Sequence, residues 1–160
     1  MLVSRVETRC AVANDIRIGV ALINEHARLP EFKTSGSVGA DLFAAFEGSS
    51  ITLDPGTRAT VPTGIGLQLP DGIEAQIRPR SGLAAKHGIS VLNSPGTVDS
   101  DYRGEISVVL INTSDTAFTI SSGDRIAQII IAPVIRPLFE RVNELDPTSR
   151  GEKGFGSTGV

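Results

Sequence analysis

The sequence predicts an all-β fold, and three observations lead to this prediction. Short runs rich in Val, Ile and Thr recur along the chain, and apolar and polar residues alternate in IEAQIRP and ISVVLIN. Turn-forming sequences separate these runs, namely LDPGT, LPDG, NSPGT and SSGDR. A single stretch has the features of a helix. Many short strands at this spacing are typical of a β-sandwich or a closed barrel.

The predicted strands lie between residues 16 and 134 of the chain. We assign them to residues 16–23, 51–53, 57–61, 64–69, 73–78, 105–112, 117–120 and 125–134. The predicted helix covers residues 81–88, because Ser81 is a favourable capping residue, helix formers follow it and Gly88 is a typical terminator. A short helix in a β protein is a place where a binding site is expected.

The composition indicates one domain and excludes several classes of function. The chain has 160 residues, of which 40% are hydrophobic and 21% charged, enough for a single substantial core. The net charge of −3 argues against the broad basic face that long nucleic acids require. No apolar stretch approaches the length of a membrane span, so we expect no membrane partner.

The cysteine and histidine content favours a cytoplasmic protein without a zinc site. The single cysteine, Cys10, has no internal partner for a disulfide, which fits a reducing compartment. Neither His26 nor His87 has partners at zinc-ligand spacing. Residues 1–15 lack the pattern of a signal peptide and are interpreted as an N-terminal extension.

The segment RPRSGLAAKHG contains a candidate anion site. Arg80 and Ser81 lie at the start of the predicted helix, where unsatisfied backbone N–H groups attract phosphate oxygens. Gly82 allows the backbone to approach such a ligand closely. The alternative is an ordinary capped turn that carries a surface arginine.

The segment NSPGTVDSDYRGE, residues 93–105, is predicted to form a hairpin or loop. Asp99 on such a rigid loop is suited to take a proton from an attacking water, and the face of Tyr102 is suited to pack on a sugar. The alternative is that the aspartates are turn residues. We adopt that alternative for Asp101, which we expect to help hold Arg103.

Two further segments, SVGADLFAA and GDRIAQII, contain polar residues in apolar surroundings. Asp41 needs a partner there, and is either a buried structural carboxylate or a residue that holds the waters around a magnesium ion. Gln128 interrupts an apolar strand, so its amide should have a defined hydrogen-bond partner. Asp124 and Arg125 are interpreted as a pair that stabilises a turn.

The C-terminal sequence RGEKGFGSTGV combines glycines with groups that bind nucleotides. Arg150 offers two parallel donors to a terminal phosphate. Phe155 offers a ring on which a base can stack, and Ser157 and Thr158 add hydroxyl groups. Together the five segments provide for the base, sugar, phosphates and metal of one nucleoside triphosphate.

In this order the five segments resemble the five motifs of the trimeric deoxyuridine triphosphatase (dUTPase) family. The resemblance rests on GADLFAA, PRSGLA, GTVDSDYRGE, GDRIAQ and RGEKGFGSTG, and extends from about residue 16 to residue 159. It implies a jelly-roll-like homotrimer with active sites shared between subunits. It divides the chain into the extension 1–15, a β-domain 16–143 and a flexible glycine-rich C-terminal lid 144–160.

The resemblance also implies a reaction, a cofactor and a set of site residues. The reaction is Mg²⁺-dependent hydrolysis of dUTP to dUMP and pyrophosphate, which limits uracil in DNA and supplies dUMP for thymidylate synthesis. Asp99 is implied as the base that activates the water, and Asp41 as a residue that acts on Mg²⁺ through water. The implied substrate-binding residues are Arg80, Ser81, Gly82, Asn93, Thr97, Val98, Asp99, Tyr102, Gln128, Arg150, Phe155, Gly156, Ser157 and Thr158.

Two alternative functions remain, and both are disfavoured by particular residues. A dCTP deaminase of the same fold needs a glutamate beside C4 of cytosine, at the position that Val109 occupies here. The strand ISVVLIN contains no carboxylate. A non-catalytic nucleotide-binding or regulatory module would gain nothing from Asp99 beside an α-phosphorus.

Overall fold

Antiparallel strands make up most of the regular structure. The computed structural model describes residues 16–152, so the predicted extension 1–15 and residues 153–160 lie outside it. The elements are β1 (Gly19–Leu22), β2 (Ala40–Phe43), β3 (Ile51–Leu53), β4 (Arg58–Pro62), β5 (Ile65–Gln68), β6 (Ile73–Arg78), α1 (Ser81–His87), β7 (Ile89–Val91), β8 (Gly96–Val98), β9 (Ser107–Asn112), β10 (Phe118–Ile120) and β11 (Arg125–Pro133). The all-β prediction is therefore confirmed. Nothing in residues 16–152 is a helix with the length and apolar character needed to cross a membrane.

The largest sheet has the order β2-β11-β6-β8, and every pairing in it is antiparallel. One of its two central strands, β11, places Gln128 opposite both Asp41 of β2 and Arg78 of β6. A second sheet has the order β4-β9-β7, and β1-β5 and β10-β3 form two-stranded pairs. Pairing of strands as distant in sequence as β2 and β11 is typical of jelly-roll folds.

Apolar side chains from these sheets form a shared core. Strand β9 illustrates the pattern, since Val108, Leu110 and Asn112 are buried and alternate with more exposed residues. The buried amide of Asn112 donates to the carbonyls of Leu53, at 2.9 Å, and Thr116, at 2.7 Å. A buried polar side chain is thus fully accommodated, as burial requires.

Every predicted strand is present, and three short strands were not predicted. These are β2, β7 and β8. All four residues of β2 are buried, so this strand lacks the alternation on which the prediction relied. The other two have three residues each: β8 lies within the segment that was predicted only as a hairpin or loop, and β7 lies just before that segment.

The helix begins and ends close to the predicted positions, but its cap differs. The N-cap residue is Arg80 and makes no side-chain capping bond, so the prediction of Ser81 as the cap was wrong. Arg80 has the extended backbone angles that N-cap residues usually have, and its side chain forms an ion pair with Asp41 of β2. Gly88 ends the helix in the left-handed conformation, with φ of 64°, as predicted.

Gly64, between β4 and β5, is expected to be essential for stability. Its φ is +66°, and a Cβ there would lie 2.7 Å from Cβ of Ala27 and 2.8 Å from Nδ2 of Asn24. Gly64→Ala should lower the free energy of unfolding by about 2–5 kcal/mol, since backbone strain and overpacking add. Urea unfolding at a fixed protein concentration measures this loss.

The matched control is Gly72→Ala. Gly72 has a φ of +75° but no other atom within 4 Å of its built Cβ, so that only the backbone is strained. The control should lose about 1–2 kcal/mol. Equal losses in the two variants would contradict the proposed crowding at Gly64.

Candidate functional site

A buried carboxylate holds two arginines at the end of the largest sheet. Asp41 is 8% exposed. Its Oδ1 accepts a hydrogen bond from Nε of Arg80, and its Oδ2 accepts one from Nη1 of Arg125, both at 3.0 Å. Arg80 also donates to the carbonyl of Arg125 at 3.0 Å. The prediction that Asp41 needs a charged or polar partner is confirmed.

The predicted pair of Asp124 with Arg125 was wrong. The carboxylate of Asp124 instead accepts a hydrogen bond from the backbone N–H of Ser121 at 2.7 Å, which stabilises the turn before β11. Arg125 is thereby free to pair with Asp41 on the adjacent strand. The turn role of Asp124 is confirmed, whereas Arg125 belongs to the candidate site.

The amide of Gln128 has a defined partner, as predicted. Its Nε2 donates to the carbonyl of Pro79 at 2.9 Å, just before the helix. Gly39 provides the necessary space, since a Cβ at that position would lie 2.5 Å from Oε1 of Gln128. The amide is therefore held beside the N-terminus of α1.

These groups line a polar cavity of about 210 Å³, the basic cavity. Three cations line it and only one carboxylate does, so an anion is favoured there. Lys33 was not singled out from the sequence at all, and Glu31 pairs with it at 2.8 Å. The lining residues are Lys33, Ser37, Gly39, Asp41, Arg80, Ser81, Gly82, Arg125 and Gln128.

A second cavity of about 210 Å³, the hairpin cavity, lies at β8 and the loop that follows it. Asp99 is exposed, directly after the last residue of β8. Val109 of β9 lines the same cavity, as does Glu105. The predicted site residues in this lining are Asn93, Thr97, Val98, Asp99 and Tyr102.

The loop after Asp99 is held by its own carbonyl groups. The hydroxyl of Tyr102 donates to the carbonyl of Glu105 at 3.0 Å. Nη1 of Arg103 donates to the carbonyls of Ser100, at 2.7 Å, and Tyr102, at 2.9 Å. The prediction that Asp101 holds Arg103 was wrong, because nearby backbone acceptors take the guanidinium instead.

The two cavities are lined by different residues of the chain. Val98 is paired with Ala75, five residues before Arg80. A strand rises about 3.3 Å per residue, so Val98 lies about 10 Å along the sheet from Arg78, the last residue of β6. The structure therefore brings Asp41, Arg80 and Gln128 together, and separates them from Asp99.

Of the predicted site residues in the C-terminal tail, Arg150 lies within the described residues 16–152 and the other four lie outside them. Arg150 is exposed, next to a turn in which the N–H of Gly151 donates to the carbonyl of Thr148 at 3.1 Å. The contacts expected of the other four tail residues stay predictions, because these residues lie outside the described part of the chain. These are Phe155, Gly156, Ser157 and Thr158.

The described side chains do not form a metal cage by themselves. Residues 16–152 contain no cluster of three or more His, Cys, Asp or Glu side chains suited to a metal ion. Both carboxylate oxygens of Asp41 already accept from arginines. This arrangement fits an ion held mainly by ligand phosphates, with protein contact through water, as Mg²⁺ favours.

Comparison with known proteins gives one consistent family. The family model described as dUTPase matches residues 25–159. A deoxyuridine 5'-triphosphate nucleotidohydrolase of Treponema denticola is 58% identical over 138 residues, 86% of this chain and 95% of that protein.

Solved structures agree with the sequence comparison. A dUTPase variant of Staphylococcus bacteriophage 80alpha, solved with dUpNHpp, is 27% identical with a TM-score of 0.81, covering 90% of this chain and 99% of that one. A dUTPase variant from phage phi11 of S. aureus, solved with a structural Mg(II) ion, is 25% identical with a TM-score of 0.72. That match covers 80% of this chain and 97% of the other. The chain therefore belongs to the dUTPase family.

Proposed function

We propose that the protein is a dUTP diphosphatase, which hydrolyses dUTP to dUMP and pyrophosphate. The observation that carries the proposal is that Asp99 lines the same cavity as Asn93 and Tyr102. The separate basic cavity suits the phosphates. The reaction limits uracil in DNA and supplies dUMP for thymidylate synthesis. The single cysteine, Cys10, supports a cytoplasmic location.

Asp99 acts as the general base. Its exposed carboxylate takes a proton from a water, and the resulting nucleophile attacks the α-phosphorus in line with the departing pyrophosphate. The bond from the α-phosphorus to the bridging oxygen breaks, and pyrophosphate leaves with that oxygen. Asp99 therefore has to face the α-phosphate of the bound substrate.

The hairpin cavity recognises the nucleoside. Asn93 and the backbone from Thr97 to Asp99 read the edge of uracil, since backbone donors and acceptors on a strand end are fixed in direction. Tyr102 lies against the deoxyribose and leaves no space for a 2′-hydroxyl. A polar pocket built in this way rejects a ligand that leaves its groups unpaired.

The basic cavity holds the phosphates. Arg80 and the start of α1, Ser81 and Gly82, bind phosphate oxygens, and Gln128 contacts the α-phosphate. Asp41 would hold Mg²⁺ through water, and the ion would neutralise charge that develops on the phosphates during transfer. Arg80 and Arg125 remain fixed for this task because Asp41 holds both of them.

The two rival functions lose support at the hairpin cavity. The position that a dCTP deaminase would give to glutamate is Val109, which lines this cavity with an apolar side chain. Glu105 also lines it, but its Oε1 accepts a hydrogen bond from the N–H of Gly64 at 2.8 Å. A binding module would have no use for the carboxylate of Asp99.

A homotrimer with shared sites accounts for the separation of the two cavities. Asp99 of one subunit would act on a triphosphate held by the basic cavity of another, since the two cavities share no lining residue in one chain. The segment after β11 supports assembly, because its large apolar side chains are exposed and need cover. These are Ile135, Leu138, Phe139, Val142 and Leu145.

Replacement of Asp99 by asparagine should strongly reduce turnover without loss of structure. Asparagine has nearly the same shape but does not accept a proton, so kcat should fall by roughly 10²–10⁴-fold. Pyrophosphate release from dUTP with Mg²⁺ measures kcat and KM, and circular dichroism checks the fold.

Asp101→Asn is the matched control, because Asp101 is an exposed carboxylate of the same loop outside the hairpin cavity. It should keep kcat within about twofold of the original protein, in line with an exposed group that has no role in proton transfer. Full turnover by the Asp99 variant would exclude this residue as the base.

Mixing two inactive variants tests whether sites are shared. Asp99→Asn and Arg80→Ala chains, unfolded and refolded together, should regain a substantial part of the original activity, because some sites then combine two intact halves. Refolding each variant alone is the control, and light scattering of the mixture determines the number of subunits.

The mixing experiment also has a clear opposing result. Activity that stays at the level of the separate variants, in a mixture shown to contain mixed trimers, would mean that each site lies within one chain. The homotrimer itself would be contradicted by a monomeric mass in light scattering.

Arg150→Ala tests the C-terminal lid, residues 144–160. A bidentate arginine–phosphate contact is stronger than a neutral hydrogen bond, so its loss should weaken kcat/KM for dUTP by about tenfold or more. Unchanged kcat/KM, with unchanged thermal unfolding, would contradict a role for Arg150 in gripping substrate. Arg141→Ala, at an exposed arginine outside the lid, serves as the control.

A further inference from the structure

Gly104 leaves space that the ring of Tyr102 occupies. A Cβ built on Gly104 would lie 2.6 Å from Cζ and 3.1 Å from Cε2 of Tyr102, and closer still to its hydroxyl oxygen. Real Cβ atoms do not approach other heavy atoms below 3.0 Å. Gly104 does not have a positive φ. Glycine is therefore needed at this position to leave space for the ring of Tyr102, and not to permit an unusual backbone conformation.

Hydrogen bonds fix the ring in this space. The hydroxyl of Tyr102 donates to the carbonyl of Glu105 at 3.0 Å. The side chain of Glu105 in turn accepts from the N–H of Gly64 at 2.8 Å, which ties the loop to the turn between β4 and β5. Arg103 bonds the carbonyl of Tyr102 itself at 2.9 Å. Hydrogen bonds thus connect the ring of Tyr102 to Glu105, and Glu105 to the turn between β4 and β5.

We infer that Gly104 and Glu105 are positioning residues that set the sugar selectivity of the enzyme by fixing the ring of Tyr102. This inference rests on the proposed function, in which Tyr102 packs on the deoxyribose. Tyr102 is 48% exposed, so little besides these contacts restricts its ring. A ring that rotates or shifts no longer closes the space beside C2′, and a ribonucleotide then fits.

The chain provides its own probe for the position of the ring. Tyr102 is the only tyrosine, and there is no tryptophan, so intrinsic fluorescence reports this ring alone. Gly104→Ala should change the fluorescence intensity and the quenching of Tyr102 by acrylamide in the free protein. This readout does not depend on catalysis.

The kinetic test compares dUTP with UTP. In Gly104→Ala, the ratio of kcat/KM for dUTP to that for UTP should fall by roughly tenfold or more, the size of effect that a misfitted methyl-sized space produces. Gly36→Ala is the control, since Gly36 has no positive φ and no atom within 4 Å of a built Cβ. It should keep the ratio and the fluorescence.

A double-variant comparison separates the ring from other effects. In a Tyr102→Ala background the space beside Gly104 is empty, so adding Gly104→Ala should not change the dUTP/UTP ratio further. A further fall of the same size in that background would overturn the inference.

Glu105 provides a second, independent arm. Glu105→Ala removes the acceptor for the N–H of Gly64 and should lower the dUTP/UTP ratio, whereas Glu105→Gln keeps an oxygen acceptor and should restore it. Should Gly104→Ala fail to fold, this pair and Tyr102→Phe, which lacks the donor to Glu105, still test the ring position.

The outcomes distinguish a failure of the proposed function from a failure of the positioning role of Gly104 and Glu105. An original protein that does not hydrolyse dUTP contradicts the proposed function. An active original protein whose Gly104 and Glu105 variants keep both the selectivity ratio and the Tyr102 fluorescence overturns only the inference on positioning. Changed fluorescence with an unchanged ratio also overturns it, because the ring would then move without affecting selectivity.

Discussion

The candidate site depends on one buried carboxylate, Asp41. Buried charges need partners, and Asp41 has two, Arg80 and Arg125, each 3.0 Å away. The three residues come from β2, the start of α1 and β11, so this small cluster joins the helix to the centre of the largest sheet. Removal of Asp41 would leave two cations close together with nothing between them, which is unfavourable.

The register of β11 sets where these groups meet. Gln128 lies opposite Asp41 on one side and Arg78 on the other. Because side chains alternate between the faces of a strand, a shift of one residue would move Gln128 to the opposite face. The register of β11 therefore fixes the position of Gln128 in the site. The buried apolar residues before and after it in the strand hold that register.

Most of the strands could be predicted from sequence because turn signals bound them, and the need of Asp41 and Gln128 for polar partners could be predicted because both lie in apolar surroundings. The missed strand β2 is buried throughout and shows no alternation. Lys33 was missed because nothing near it in sequence marks a site. The wrong predictions for Arg103 and Arg125 have a common cause, because each arginine was paired with an aspartate close to it in sequence. In the folded chain Arg103 donates to backbone carbonyls, and Arg125 donates to Asp41, which is distant in sequence.

The exposed apolar segment after β11 has a consequence for how the protein behaves at low abundance. Leu138 and Phe139 are 100% and 95% exposed in the single chain. If neighbouring copies cover them, association and folding are linked by mass action, and dilution weakens both. A cell that makes few copies would then lose more than a proportional share of catalytic activity, since a larger fraction of the chains would be unassociated, with these apolar side chains exposed to solvent.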